Sequence, residues 1–433
     1  MTKAIDKTQC ICSDITIIGG GPAGLILAFC CLLEGYTVSV LEKNPQSVWY
    51  QNYCFWNEEL QNLQIPDTLR ALLTQSIERS WDNALVQIDH QTQLRIDSVF
   101  SKFDTAKLQR LLLQEIGFLG GHIYEDTAQR IVHHNTHSIV SGAQHYQSRL
   151  VFVSNGAGGG LLSYKSATKP AFQIAYGQLL SIPEQDVIDA QLQLNTAGFM
   201  DFRPPNTDPQ LQYPPSFLYT LPISKTQIFL EETILATRED IDWELLKNRL
   251  QQRKEKLKFA SAAVMEEEYC RIQMGGGLPE RGRTLAFGAA AGFTHPVTGF
   301  QILRSVHTAP RVVQQLKMHW QKELETLSSL AWDAIWTERE RNNRSLYLLG
   351  LDMITGFTLQ ETQAFFTAFF AVSDSERAAF LSGWGSTRAV EASMWQTFQH
   401  ASWNTRRLIV QQAIQHPQLL FSALLHKSSR RAS

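Results

Sequence analysis

Apolar residues open the chain in short runs that alternate with glycine turns, the pattern of a wound α/β layer. Asp14–Ile18 reads as an apolar strand, followed at once by Gly19-Gly20-Gly21-Pro22-Ala23-Gly24 and a helix-like run to Glu34. Gly35 stops that helix, Thr37–Leu41 makes a second strand, and Glu42 ends it. In this βαβ opening Gly19 permits the tight turn, Gly21 lets a pyrophosphate approach the backbone, and Gly24 lets helix and strand pack closely. The helix N-terminus offers N–H donors and partial positive charge to phosphates, and Glu42 stands where a carboxylate can reach an adenosine ribose. A dinucleotide is expected, and the GGGPAG form with its following acid leans toward FAD.

Further along, Lys107–Ile116 reads as a helix with Asp104 or Thr105 as N-cap. Ile131-Val132 and Ile139-Val140 flank His133-His134-Asn135-Thr136-His137 as a hairpin with solvated histidines, and no metal is expected there. Arg149–Ser154 is an apolar strand that runs out into the glycine-rich stretch 156–160. From about Phe172 to Met274 the pattern changes to strands: Gln173–Leu180, Gln191–Arg203, and the pair Tyr213–Ile223 and Thr226–Ala236. Arg238–Lys258 reads as a surface helix with an apolar stripe and solvated basic residues. Thr284–Gly288 is a strand entering a small-residue turn, Ala289–Gln301, and a helix begins near Ile302; this second strand–turn–helix can again hold phosphate or a flavin edge. The last quarter is helical and aromatic. Most of its aromatic residues read as helix core, while Phe365–Phe370, and Leu419–Leu425 with the basic residues after it, also suit a surface that dips into a bilayer.

These shifts divide the chain into a discontinuous nucleotide-binding domain (1–170 and 271–320), an antiparallel substrate domain (171–270) and a helical C-terminal region (321–433). The expected fold class is therefore α/β: a Rossmann-like FAD-binding domain, an antiparallel β substrate domain and a helical end.

The sharpest chemistry lies in Phe229-Leu230-Glu231-Glu232-Thr233. Alternation along a strand sends the two glutamates to opposite faces. A carboxyl group among Phe, Leu and Ile is penalised when ionised, so its pKa rises toward neutrality and suits a general acid. A buried Glu–Arg pair is the plain structural alternative. Glu231 shares its face with Phe229 and Thr233, a plausible cavity wall, whereas Glu232 lies on an aliphatic stripe resembling core. Glu231 is thus the expected acid.

With 433 residues, 44% hydrophobic and 18% charged, the chain is an ordinary globular protein with room for a large core. A net charge of −2 argues against a dedicated nucleic-acid binder. No transmembrane-length apolar stretch and no signal-peptide core are seen, and six scattered cysteines suit a reducing compartment. A cytoplasmic protein is expected.

With these segments in place, the chain resembles the flavin-dependent lycopene cyclase family, in its plant and cyanobacterial branch. The likeness spans nearly the whole sequence. It rests on GGGPAG with Glu42, Asn52-Tyr53…Trp56…Glu59, Gln173–Gly177, Met200-Asp201-Phe202-Arg203, Phe217-Leu218-Tyr219, FLEET at 229–233, Met274-Gly275-Gly276 and Gly292–Phe300. Cys54 departs from the glycine usual after Asn-Tyr, Ser154-Asn155-Gly156 replaces a common Asp-Ala-Thr-Gly-like run, and no plastid transit peptide is evident. The resemblance implies a flavoprotein-monooxygenase fold, FAD active in its reduced form, NAD(P)H as reductant, and a carotenoid substrate met at a membrane. It implies cyclisation of the linear ends of lycopene to ionone rings, of beta type, without net oxidation. Candidate catalytic residues are Glu231 and Glu232, with Asp201 and Arg203 in support. Candidate cofactor contacts are Gly19, Gly21, Ala23, Gly24 and Glu42, then Gly292, His295, Pro296, Thr298 and Gly299. Rival readings are a hydroxylase or halogenase on the same fold, a cyclase of another terpenoid or meroterpenoid tail, and a non-catalytic lipid or carotenoid binder.

Overall fold

The computed structural model of the chain describes residues 10–156, 160–165, 169–205 and 213–415. Its first sheet is wound around Ile11–Ile18, which pairs in parallel with Val38–Glu42 on one side and His145–Val153 on the other. His122–Glu125 extends it in parallel beyond Val38–Glu42, and Thr284–Ala286 returns late in the chain to lie parallel to His145–Val153. Ile15, Ile17 and Ile18 are buried, as is nearly every residue of the helix Pro22–Leu33. An element apolar all round is stable only between two layers. This helix packs against Ile302–His319 and Thr105–Phe118. Asp104 caps the latter by accepting from the Lys107 N–H at 2.8 Å. Arg130–His133 and Ser138–Ser141 form the expected histidine hairpin at the sheet's edge.

The second sheet runs, edge to edge, Ala263–Met274, Ala171–Ser181, Gln227–Thr237, Phe217–Pro222, Thr196–Asp201, Asn83–Gln87 and Gln93–Ile96. Two of these strands come from residues 83–96, which the sequence pattern groups with the nucleotide-binding part. Asn83–Gln87 lies parallel to Thr196–Asp201, so the sheet is antiparallel except at that pair. Residues 184–189 form a short helix, and the strand read as Gln191–Arg203 begins only at Thr196.

One face of this sheet carries Ile174, Leu180, Leu230 and Ile234 against the helix Trp243–Lys256. The other packs Phe199, Phe217 and Phe229 against the C-terminal helices between Glu338 and Gln415. Two of those helices start with reciprocal caps, Thr337 with Glu340 and Thr358 with Glu361. Phe366, Phe369 and Phe370 are buried inside, not offered to a bilayer, because they close the core over the sheet. The candidate membrane segment 419–425 lies outside the described residues. Among the described residues, no helix is long and apolar enough to cross a membrane.

Candidate functional site

The nucleotide fingerprint forms a cleft at the C-terminal end of the first sheet, where ligands of open α/β sheets bind. Gly19 has φ +109°, and a Cβ there would meet the Ser154 backbone at 2.6 Å. A Cβ at Gly24 would fall 2.0 Å from the Gly19 carbonyl oxygen, so this glycine serves helix–strand contact. Gly21 is different: nothing stands within 4 Å of its missing Cβ, leaving its backbone open to the cleft. Ala23 and Glu42 also line the cleft. Glu42 accepts from the Gly20 N–H at 2.7 Å and the Asn44 N–H at 3.1 Å, which fixes its carboxylate at the rim. The buried Ser154 hydroxyl on the same wall has no hydrogen-bond partner among the described residues. A bare helix N-terminus, an open glycine backbone and a fixed acid suit a dinucleotide pyrophosphate and ribose.

Gln51, Tyr53, Cys270 and Gln301 are shared between this cleft and a second cavity, whose floor is the second sheet. Glu231 lies there beside Phe229, Tyr219, Cys54 and Glu268. Its carboxyl faces this internal space, and the Thr233 hydroxyl donates to Oε1 at 2.7 Å. Burial, followed by the charge of Glu268, pushes the Glu231 pKa up to about 8, against a smaller opposing effect of Thr233. Tyr219, Thr298 and Phe300 then lead into a third space, walled by Phe365, Phe366, Phe369, Phe370, Met353 and Met394. A nucleotide cleft, an acid and an apolar chamber thus follow one another.

Glu232 takes the opposite face. It is fully buried, accepts from the Ser216 hydroxyl at 2.6 Å and pairs with Arg253 Nε at 3.0 Å. Arg253 and Arg249 come from the helix Trp243–Lys256, whose basic residues the sequence pattern leaves in solvent. Arg249, Arg253 and Lys254 are instead buried, because Glu232, Ser216 and the Gln178 side chain give them partners beneath the helix. Asp201 and Arg203 also belong to this group rather than to the cavity. Asp201 holds the Arg203 guanidinium, and Arg253 Nη2 donates to the Asp201 carbonyl at 3.2 Å. Of the four candidate catalytic residues, the cavity receives only Glu231.

The second glycine turn is likewise divided. Gly299 and Thr298 line the Glu231 cavity. Gly299 has φ +76°, and its missing Cβ would sit 2.0 Å from Gln173 Oε1, which explains why the turn admits no side chain. His295, however, does not face the nucleotide cleft. Its Nδ1 accepts from the Val297 and Thr298 N–H groups at 3.2 Å, and its Nε2 lies 3.1 Å from the Phe380 carbonyl. Burial pushes its pKa down to about 3, so it is a neutral tether between the turn and the C-terminal helices. Pro296 and Gly292 lie with it behind the turn, in a pocket with Arg304, Glu340 and Arg344, while Thr294 and Gln301 reach the cleft.

Sequence reading missed Glu268, Gln173 and Tyr219 as site residues. Gln173 and Tyr219 occur in segments that carried the family likeness, but Glu268 is one of three successive glutamates, Glu266-Glu267-Glu268. Such a run reads as a solvated edge, and only strand register shows which one turns inward.

Residues 14–407 match the family described as lycopene cyclase protein. Among curated proteins, the chloroplastic/chromoplastic lycopene beta cyclase of Capsicum annuum is 28% identical over 416 residues, 93% of this chain and 81% of that one. The chloroplastic lycopene beta cyclase of Solanum lycopersicum is 28% identical over 415 residues, 93% and 80% of the two chains. The chromoplastic capsanthin/capsorubin synthase of Capsicum annuum is 28% identical over 409 residues, 91% and 79%. Among solved structures, a geranylgeranyl bacteriochlorophyll reductase-like protein of Thermoplasma acidophilum superposes with TM-score 0.66 at 12% identity, covering 95% of this chain and 100% of that one. A flavoprotein/dehydrogenase of Cytophaga hutchinsonii does so with TM-score 0.63 at 12% identity, covering 94% and 100%. These likenesses place the fold among the flavoprotein monooxygenase-like proteins.

Proposed function

The chain belongs to the lycopene cyclase family, and from that premise we propose that it closes the linear ends of lycopene into ionone rings of the beta type without net oxidation. The observation that carries this reading is Glu231, a carboxyl group pushed up to about 8 and placed between a nucleotide cleft and an apolar chamber. A protonated carboxyl facing hydrocarbon can protonate a terminal alkene. The neighbouring double bond then attacks the tertiary cation, and proton loss from the ring sets the product double bond. Phe229 and Tyr219 present aromatic rings to that space, which favour a cation in otherwise apolar surroundings. Their packing also excludes water that would trap the cation as an alcohol.

Gly19, Gly21, Ala23, Gly24 and Glu42 would hold FAD, with Thr298 and Gly299 at the turn beside its ring. When bound and reduced at the expense of NAD(P)H, FAD supplies negative charge next to the cation. In domain terms, 1–170 and 271–320 serve the cofactor, 171–270 the substrate, and 321–433 closes the chamber, joined by residues 83–96 from the first segment.

The test is anaerobic: protein, FAD, excess dithionite and lycopene in liposomes, with products resolved by mass and absorption. An isobaric, blue-shifted product dependent on reduced flavin is expected. A product heavier by oxygen, formed only in air, would overturn the proposal. Because Glu231 must carry its proton, the rate is expected to hold at neutral pH and fall as pH rises through about 8. A rate that instead rises across that range excludes Glu231 as the acid.

Lycopene is insoluble in water, and peripheral membrane contact belongs to this proposal. The helix Trp403–Gln415 leaves Trp403, Val410 and Ile414 exposed at spacings of one face, and Trp395 is exposed on the preceding helix. Met394 and Ile409, adjacent on these helices, line the apolar chamber. Such a face suits a lipid interface. The double substitution Trp403→Asp with Val410→Asp is expected to lower co-sedimentation with anionic liposomes several-fold; unchanged binding moves the contact elsewhere.

A further inference from the structure

The strand register places four residues in one line across the second sheet. Tyr219 pairs with Glu231, Glu231 with Gly177, and Gly177 with Glu268 on the far strand. Directly opposed residues share a sheet face. Glu231 and Glu268 therefore flank a position with no side chain, and both line the same cavity. The Phe229 ring occupies the vacant place: its Cζ lies 2.5 Å from where a Gly177 Cβ would stand. A carboxyl group, an aromatic ring and a second carboxyl group thus line up across the floor.

Glu268 is buried, and its partners are neutral. Its oxygens accept from the Asn52 backbone N–H at 2.9 Å, from the Asn52 side-chain amide and from the Cys270 thiol at 3.2 Å. In all three contacts Glu268 is the acceptor. No Lys, Arg or His among the described residues forms an ion pair with it, unlike Glu232 and Glu340, which each have arginine partners. A buried negative charge without a cation is expensive unless something positive arrives.

We propose that Glu268 is a second catalytic carboxylate, the fixed anion that faces the cationic ring across Gly177 and receives the proton released when the ring double bond forms. The inference rests on the cyclase reading above. The step balances without a co-reactant. Glu231 gives a proton to the terminal alkene, and the second alkene's electron pair makes the ring bond. The C–H bond beside the resulting cation then breaks, its electrons become the ring double bond, and its proton goes to a Glu268 oxygen. Return of that proton to Glu231 restores the starting state, and nothing is oxidised or reduced.

The same charge helps to keep Glu231 protonated, so the pair has a signature in pH. Other groups facing the two carboxyls do not titrate with them. Burial pushes Tyr53 and Cys54 up to about 12, and it pushes Tyr219 and Cys270 well above their ordinary values. Lys102 and Glu78 stand near Cys54 and bond to each other.

The experiment compares wild type, Glu268→Gln and Glu268→Asp as flavin-loaded protein on lycopene in liposomes, following rate against pH and the bound-flavin absorbance. Glu268→Gln is expected to bind flavin normally, to cyclise about 100-fold more slowly or worse, and to lose its residual activity at a lower pH than wild type. Glu268→Asp keeps the charge and is expected to restore the pH limb and much of the rate. A Gln variant with wild-type rate and pH limb overturns the inference. So does loss of flavin in both variants alike, which would make Glu268 a structural residue. Wild-type protein that yields no ring product fails the cyclase reading itself, before the variants are compared.

Discussion

Glu231→Gln is expected to lower lycopene cyclisation by roughly 100- to 10,000-fold while leaving the protein folded, the range typical of removing a general acid. The amide has the shape of the protonated carboxyl and can keep the Thr233 hydroxyl as a donor to its oxygen, which Glu231 Oε1 accepts at 2.7 Å. What it lacks is a proton acidic enough to transfer to an alkene. Because no cation among the described residues pairs with Glu231, the neutral replacement strands no charge, and thermal stability should stay within a degree or two of wild type. The measurement is turnover with reduced flavin alongside a thermal melt. Full turnover in this variant would move the acid to another residue.

Glu232→Gln, one residue along the same strand, is expected to do the reverse. Arg253 is buried against Glu232 with Nε at 3.0 Å, and removing the carboxylate leaves an interior guanidinium whose remaining carboxylate is Asp201, shared with Arg203 and 4.0 Å from Arg253 Nη1. Breaking a buried pair in this way costs roughly 3–5 kcal/mol. For a chain of 433 residues the thermal midpoint should fall by roughly 3–6 °C. Arg249 and Ser216 lie in the same network, so the loss is shared with the Pro214–Ser216 segment that Arg249 and Ser216 hold. Any protein that remains folded should keep much of its activity per flavin bound. A melt unchanged from wild type, with activity abolished, would exchange the roles of the two glutamates.

The contrast between adjacent glutamates shows how far a sequence carries. Period-two alternation in Phe229–Thr233 already sends them to opposite faces, and the aliphatic neighbours of Glu232 mark its face as core. Nothing local could supply its partners. Arg249 and Arg253 sit on a helix whose charges read as solvated, and they are buried only because the helix lies across the strand face that carries Glu232. His295 shows the opposite error. Its place between two glycines suggested a cofactor neighbour, but its ring is occupied by the backbone of its own turn and by Phe380, 85 residues away. Phe365–Phe370 reads from composition as helix core or as a surface for lipid, and packing against the second sheet decides for core by turning most of it inward.

By itself the sequence determined what depends on near neighbours. These are the βαβ opening with its glycine fingerprint, the Asp104 cap, the strand that divides Glu231 from Glu232, and the aromatic helical end. Each follows from backbone sterics, side-chain period or a turn a few residues long. Tertiary structure decided everything that requires separate strands to meet. It aligned Tyr219, Glu231, Gly177 and Glu268 across four strands, withdrew Asp201 and Arg203 from the cavity, and drew residues 83–96 into the second sheet. Register between strands is set by which faces can be buried together, and that property belongs to no single stretch of the chain.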